Sequence, residues 1–180
     1  GWQVKQDEDH FLPSVTLAPT EDILDHVIEN DEFRPDDVAI QVLLVPMEFL
    51  TMNGLELEED AESIDVLNLI LEDFEGTELG ETEVVELELT EDETIDVAQV
   101  QIVGEEIEEF VYVYVDEGLM LMVAVAAYPG ERTDEMGDWA EMVVTSLDYT
   151  GSAEDIMTAM MGGEEPTEEP VDAEATAEQE

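Results

Sequence analysis

The sequence predicts an α+β fold in which helices cover an antiparallel sheet. Residues 107–128 contain two runs of apolar, β-branched and aromatic residues, Phe110–Val115 and Leu119–Ala127, separated by Asp116-Glu117-Gly118. Because Gly tolerates positive φ, this spacing predicts a β-hairpin. Period-2 alternation precedes the hairpin over about residues 84–103, and apolar stripes at helical spacing occur on both sides of this region. Strands grouped in this way, with helices before and after them, are typical of an α+β domain.

The two arms of the hairpin indicate that it lies at the centre of the sheet. The first arm alternates between valines on one face and aromatic residues on the other: Val111, Val113 and Val115 against Phe110, Tyr112 and Tyr114. The second arm is apolar on both faces, as in a strand that helices cover on both sides. Each run is too short to cross a bilayer as a helix, which needs about 20 residues. We therefore expect two core strands.

The N-terminal half predicts two further strands with a helix between them. Ser14–Ala18 is typical of a short strand, and Val38–Val45 is typical of a buried strand that Pro46 ends. Thr20 is expected to cap the intervening helix, because its hydroxyl can accept a backbone N–H. That helix has one apolar stripe, formed by Ile23, Leu24, Val27 and Ile28.

Two more helices are expected before the alternating region. A short one follows Pro46, with an apolar side formed by Met47, Phe49, Leu50 and Met52. A longer one runs from about Ser63 to Phe74, and its apolar residues recur at helical spacing: Ile64, Leu67, Ile70, Leu71 and Phe74. Both are expected to cover the sheet.

Four successive strands then form an antiparallel meander, because Val84–Leu89 and Ile95–Val103 precede the hairpin with short turns between them. A last helix is predicted over about residues 134–146. Its buried face is expected to carry Trp139, Met142 and Val143, followed by a closing segment with Leu147 and Tyr149. We expect the methionines of the hairpin and of this helix to lie in the core.

The chain is expected to form one α+β domain over residues 1–150 and an acidic, largely disordered tail over residues 151–180. Glu, Pro, Thr and Ala dominate the end of the tail, and such a composition buries too little apolar surface to fold. Within the tail, Ile156–Met161 could form a helical turn that docks on a partner or packs back on the sheet. The chain opens on Gly1-Trp2, so we expect an N-terminal strand to be missing from it.

The charge is extreme, since 52 acidic residues stand against Lys5, Arg34 and Arg132, for a formal charge of -49. Nucleic-acid binding is excluded as a function class because phosphate contacts depend on Lys and Arg, and docking on an anionic membrane is disfavoured. Salt of molar concentration screens self-repulsion within about 3 Å. An acidic surface adapted to a salt-rich medium, as in halophiles, is the first interpretation. A calcium-loaded extracellular protein is the alternative.

No catalytic, cofactor-binding or metal-ligating residue is assigned from the sequence. Carboxylates cluster in three runs, Asp7–His10, Glu56–Asp60 and Glu91–Glu93, but none has the alternating ligands and Gly of a calcium loop. We expect only weak, diffuse cation association there. His10 and His26 are the only histidines and are expected at the surface, and no serine lies in a hydrolase motif.

Several stretches of the chain together resemble a known family over roughly residues 1–150. These stretches are Gly1-Trp2, Ile40–Pro46, Ile95–Gln101, Gly118–Pro129 and the helix end Val144-Thr145-Ser146-Leu147. They resemble the PsbP-like and DcrB-like domains of secreted or lipid-anchored bacterial envelope proteins. The resemblance implies a PsbP-like sandwich without catalytic activity, which is exported, extracellular or periplasmic, and often held by an N-terminal lipid. It also implies a protein partner in the cell envelope, and it carries over no binding residue.

The first functional hypothesis is therefore a non-catalytic, exported binding or assembly module of the cell envelope with an acidic, salt-adapted surface. Two alternatives remain open. One is a calcium-dependent extracellular interaction protein. The other is a small hydrolase or sugar-binding protein that uses surface carboxylates in a cleft beside the meander. Two buried, perturbed carboxylates in a deep pocket would favour this last class.

Overall fold

The computed structural model describes residues 1–7, 12–30, 32–57, 60–72, 78–90, 93–130, 133–147 and 152–160. Within these ranges the strands are β1 (Gln3–Asp7), β2 (Ser14–Ala18), β3 (Val38–Pro46), β4 (Glu78–Leu79), β5 (Glu83–Thr90), β6 (Glu93–Val103), β7 (Glu108–Asp116) and β8 (Leu119–Ala127). The helices are α1 (Glu21–Asn30), α2 (Met47–Met52), α3 (Ser63–Leu71), α4 (Thr133–Ser146) and α5 (Ala153–Met160).

All eight strands belong to one antiparallel sheet, in the order β1-β2-β3-β8-β7-β6-β4, with β5 also paired to β6. The predicted hairpin β7–β8 lies at its centre, and its turn uses positive φ at both Glu117 (45°) and Gly118 (81°). The predicted meander β5-β6-β7-β8 is confirmed as well. The α+β class with a helix-covered antiparallel sheet is therefore confirmed.

The last strand of the meander, β8, pairs along its whole length with β3, which comes from the N-terminal half of the chain. This pairing places β3 and β8 side by side at the centre of the sheet and joins the two halves of the chain. The predicted cap of α1 is also present, because Thr20 Oγ1 accepts the backbone N–H of Ile23 at 3.3 Å. Local signals and long-range pairing thus agree in this part of the fold.

One face of the sheet, which we call the α4 face, is closed by α4. Its core contains large residues of the central strands, and Met136, Ala140, Val143 and Val144 of α4 pack against them. Trp2 also packs here, and its ring meets that of Trp139 edge to face, with 5.7 Å between the ring centroids. The N-terminus and the last long helix therefore share one core.

The opposite face, the α3 face, is covered by helices only in part. Val66, Leu67 and Leu71 of α3 are buried against it, and α2 adds partly buried residues. Ser63 fixes the start of α3: its hydroxyl accepts the N–H of Val115 at 3.1 Å and donates to the carbonyl of Asp96 at 3.4 Å. This serine satisfies backbone groups where β6 and β7 no longer pair with each other.

Several sequence predictions differ from the structure. Two strands were not predicted, the edge strand β1 and the two-residue β4. The placement of Met142 in the core is wrong, because 52% of this residue is exposed, whereas Met136 is buried. The buried stripe of α4 begins one turn earlier than predicted, at Met136, and its spacing directs Met142 to solvent.

Residues 153–160, at the start of the predicted tail, form α5. Ser152 caps this helix reciprocally with Asp155, whose carboxylate accepts the backbone N–H of Ser152 at 2.9 Å while Ser152 Oγ accepts the N–H of Asp155 at 3.2 Å. The Ser152 hydroxyl also donates to the Asp155 carboxylate at 2.7 Å, and this hydrogen bond, followed by that of the Ser152 backbone N–H, lowers the pKa of Asp155. Ile156 and Met157 are buried and the helix packs against β3, so this segment folds back on the domain. Residues 161–180, Phe74, Tyr149 and most of the three acidic runs lie outside the described residues.

Candidate functional site

A cleft of about 390 Å³ lies on the α3 face, between α1 and the centre of the sheet. Its floor is formed by β2, β3 and β8. Val27 and Ile28 of α1 form one wall together with Phe33, and Ile107 and Glu109 lie on the opposite side. Its volume falls in the range of ordinary small-molecule sites, about 300–1,000 Å³.

The cleft is deep because the side chains that form its floor are small. Ala39 of β3 lies opposite Ala126 of β8, and Gln41 lies opposite Ala124 in the next row of the same face. Thr16 of β2 extends the second row, because it pairs with Gln41. A β-sheet brings such cross-strand neighbours onto one face, so three alanines leave space where larger side chains would fill it.

Two polar side chains on this floor have no hydrogen-bond partner within the described part of the chain, those of Thr16 and Gln41. Thr16 is only 8% exposed, so its hydroxyl lies at the bottom of the cleft. The cleft therefore presents a hydroxyl and a primary amide, each able to donate and to accept a hydrogen bond.

A second concave surface, the hairpin-tip groove, lies on the α4 face beyond the C-terminal end of α4. Its volume is about 380 Å³, and its lining is mostly apolar: Val42, Leu44, Leu89, Ile95, Tyr114, Leu119, Leu121, Val144 and Leu147. Three acidic residues, Glu93, Asp116 and Glu117, complete the lining. Burial, followed by the charges of Asp116 and Glu93, raises the pKa of Tyr114, so this phenol stays protonated in the groove.

The buried carboxylates have structural partners. Asp37 accepts the backbone N–H of Arg34 at 3.0 Å and its Nε–H at 2.9 Å, which closes the turn before β3. Glu108 accepts Nε2 of Gln101 at 2.7 Å and the backbone N–H of Gly130 at 2.7 Å. Each carboxylate thus fixes a loop to the sheet, and neither lines the cleft or the groove.

The histidines and acidic runs singled out in the sequence form no metal site within the residues that the structure describes. There, no group of three or more His, Asp or Glu side chains converges. The ring of His26 lies beside Asn30, with 3.1 Å between Nδ1 and the amide nitrogen. His10 and most of the acidic runs fall outside the described ranges. None of the helices in those ranges is long and apolar enough to cross a membrane.

The basic side chains in the described ranges, Lys5 and Arg34, form ion pairs near α1. Lys5 of β1 lies 3.4 Å from Asp25 of α1. Arg34 forms ion pairs with Asp22 at 3.0 Å and with Asp37 at 2.9 Å. The hydrogen bond to Asp37, followed by that to Asp22, raises the pKa of Arg34. These pairs hold α1 against the edge of the sheet, where it forms the cleft wall.

Sequence reasoning assigned no site residue and missed Gln41. The signal was present, because Gln41 is the one polar residue between Val38 and Val45, a run otherwise typical of a strand buried on both faces. Its meaning depended on the positions of α1 and α3, between which the described residues leave the cleft open.

Comparison with known proteins finds structures similar to this one but no similar sequence among family models or curated proteins. No known family model and no curated protein matches the chain. The crystal structure of PA94, a protein of unknown function from Pseudomonas aeruginosa, is similar with a TM-score of 0.49 and 9% identity, over 84% of this chain and 99% of that one. The solution structure of the cyanobacterial PsbP (CyanoP) from Synechocystis sp. PCC 6803 is similar with a TM-score of 0.43 and 14% identity, over 81% and 80% of the two chains. The architecture is established by the strand order and register described above.

Proposed function

We propose that this protein is a non-catalytic binding module of the cell envelope, which docks a basic and apolar segment of a partner protein in the hairpin-tip groove. The observation that carries the proposal is the composition of that groove, a largely apolar surface whose charged members are all acidic. The resemblance of the sequence to PsbP-like and DcrB-like envelope domains supports the proposed location and the absence of catalysis.

Charge complementarity selects the occupant. Apolar side chains of a partner would cover Leu119, Leu121 and Leu147, while its Lys or Arg residues would meet Glu93, Asp116 and Glu117. A second copy of the chain is a poor occupant, because its acidic surface would bring further carboxylates into direct contact with Glu93, Asp116 and Glu117. A cationic segment of a different protein fits both the apolar lining and the acidic residues of the groove.

Three peptides test the docking proposal directly. They share one apolar centre and are flanked by Lys, Ser or Glu, and each is titrated into isotopically labelled protein and followed by NMR. We expect the Lys-flanked peptide to shift the amides of the groove and to bind at least about tenfold more tightly than the Ser-flanked one, which corresponds to about 1.4 kcal/mol. The Glu-flanked peptide should not bind.

Matched variants locate the contact. Leu147→Ser removes a half-exposed groove residue, whereas Met52→Ser removes an exposed apolar residue of α2 outside the groove. We expect only Leu147→Ser to weaken the Lys-flanked peptide. Equal binding of all three peptides, or equal loss in both variants, would remove the support for this function.

We also propose that the acidic surface is an adaptation to a salt-rich medium. Acidic residues far outnumber cations, so self-repulsion should destabilise the domain at low ionic strength and screening should restore it. Thermal unfolding is followed by circular dichroism in low salt with chelator, in low salt with millimolar calcium, and in molar KCl. A large gain in the melting temperature only in molar KCl is expected. Saturation by millimolar calcium would instead favour the calcium-dependent alternative.

The envelope location has its own test. Fractionation of the source cells, followed by detection with an antibody, should place the protein in the envelope or the medium. Its recovery with cytoplasmic markers would contradict the proposed location and leave the peptide result to stand alone.

A further inference from the structure

We propose that the cleft on the α3 face is a second binding site, which takes an uncharged amphiphile, a small molecule with an apolar body and an amide or hydroxyl head. This site goes beyond the proposed docking function, because it lies on the opposite face of the sheet from the hairpin-tip groove. Its recognition chemistry is also different, since its floor is neutral.

The polar part of the ligand follows from the floor. Thr16 is more than nine-tenths buried, it lines the cleft, and its hydroxyl has no hydrogen-bond partner in the described ranges. Gln41 lies beside it in the paired strand and is likewise without a side-chain partner there. A hydroxyl and a primary amide both donate and accept, so a head group that does the same satisfies both at once.

The apolar part follows from the walls and the alanines. Val27, Ile28 and Phe33 on one side and Ile107 on the other form an apolar slot. Ala124 and Ala126 let a ligand approach the backbone of the central strand closely. Apolar walls that enclose a few polar groups are the usual construction of a small-molecule site.

The charge of the ligand follows from the electrostatics of the chain. An anion is disfavoured, because no Lys or Arg lines the cleft and Glu109 is part of its lining. The polar groups of the floor carry no charge, and molar salt screens charges beyond about 3 Å, so a cationic head beside Thr16 and Gln41 gains little over a neutral head. An uncharged head is therefore preferred to both.

A series of eight-carbon probes with one chain and different heads tests this assignment: octanamide, octan-1-ol, octylamine and octanoate. Each is titrated into isotopically labelled protein in molar KCl and followed by NMR. We expect octanamide and octan-1-ol to shift the amides around Thr16, Gln41 and Ala124, and to bind more tightly than octylamine and octanoate. Tighter binding of either charged probe, or no binding of octanamide up to its solubility limit, would overturn the proposal.

Variants separate a cleft ligand from adventitious binding. Gln41→Leu and Thr16→Val should each weaken octanamide about 5- to 10-fold, because each removes one hydrogen-bonding group while keeping the side chain similar in size. Gln99→Leu is the matched control, since Gln99 is bonded to Glu83 on the other face of the sheet, at 2.5 Å between Nε2 and Oε1. Unchanged affinity in both cleft variants would overturn the assignment.

A filling variant tests the position of the apolar body. Ala124→Leu places a larger side chain on the cleft floor and should abolish octanamide binding, while circular dichroism reports whether the variant is folded. Should it fail to fold, the two polar variants decide the question. Unchanged binding in folded Ala124→Leu would place the probe elsewhere and contradict the proposal.

Discussion

The two faces of the central strands β3 and β8 differ sharply in what they present to the helices. On the α4 face these strands carry large, fully buried residues, among them Ile40, Val123 and Val125. On the α3 face, the neighbouring positions carry Ala39, Gln41, Ala124 and Ala126. At these positions, the same pair of strands thus builds a closed core on one side and the floor of a cleft on the other.

The helices explain this difference. α4 lies across the centre of its face and fills it with Met136 and Ala140. On the other face α1 packs against β1, β2 and β3, and α3 packs against β6 and β7, so among the described residues neither helix packs extensively against β8, the strand between them. We conclude that both faces carry a buried core, and that over the middle of the sheet the α3 face leaves room for a ligand where the α4 face is filled.

The largest expected effect comes from one substitution made on each face. Ile40→Ala should lower the free energy of unfolding by about 3 kcal/mol, because Ile40 is 1% exposed and its removal leaves a cavity. Ile28→Ala, on the cleft wall, should cost less than about 1 kcal/mol, because Ile28 is 36% exposed. Urea unfolding in molar KCl measures both. Equal losses would mean that the cleft wall is packed as tightly as the core.

A smaller contrast is expected when alanines are enlarged. Ala127→Leu adds volume to the closed core, where Ala127 is fully buried, and should cost about 2 kcal/mol through overpacking. Ala124→Leu should cost less, about 1 kcal/mol, because Ala124 is only 7% exposed but borders the cleft, which can accommodate part of the added side chain. The same unfolding experiment compares the two. A larger loss for Ala124→Leu would show that the cleft closes in solution.

The last expected effect, which is absent at neutral pH, is the titration of one phenol on the α4 face. Burial, followed by the charge of Glu141, raises the pKa of Tyr112 from 10.0 to about 12. Below pH 10 both folded and unfolded states are protonated. Between pH 10 and 12 only the unfolded state loses its proton, so stability should fall across this window. The tyrosinate absorbance should show a step near pH 12 that Tyr112→Phe removes; a step that persists would contradict the assignment.

Local sequence signals accounted for most of the sheet. The β7–β8 hairpin was predictable because its turn requires positive φ at Gly118 and its arms are β-branched and aromatic. Strand β1 was not, because its segment has a single apolar residue, Val4, and it is an edge strand defined by its pairing with β2. The start of α5 had a signal that was not used, the Ser152 and Asp155 spacing of a capping box.

The candidate sites were harder to predict than the fold. The alternation of each strand assigns residues to faces, but it does not say which stretch of a face a helix leaves uncovered. Gln41 was visible as a polar residue in an apolar strand, whereas the cleft beside it depends on how far α1 lies from α3. The hairpin-tip groove likewise depends on where α4 ends over the sheet, near Leu147.

The most direct test of the contrast between the faces is the free energy of unfolding of the double variant Thr16→Val/Gln41→Leu, measured without ligand in molar KCl. If these groups are kept for a ligand, they contribute little to the unliganded fold, so their replacement should not lower the free energy of unfolding and should raise it by up to about 1 kcal/mol. A decrease of that size would mean that Thr16 and Gln41 stabilise the fold itself, and it would contradict the account of the α3 face as a binding surface.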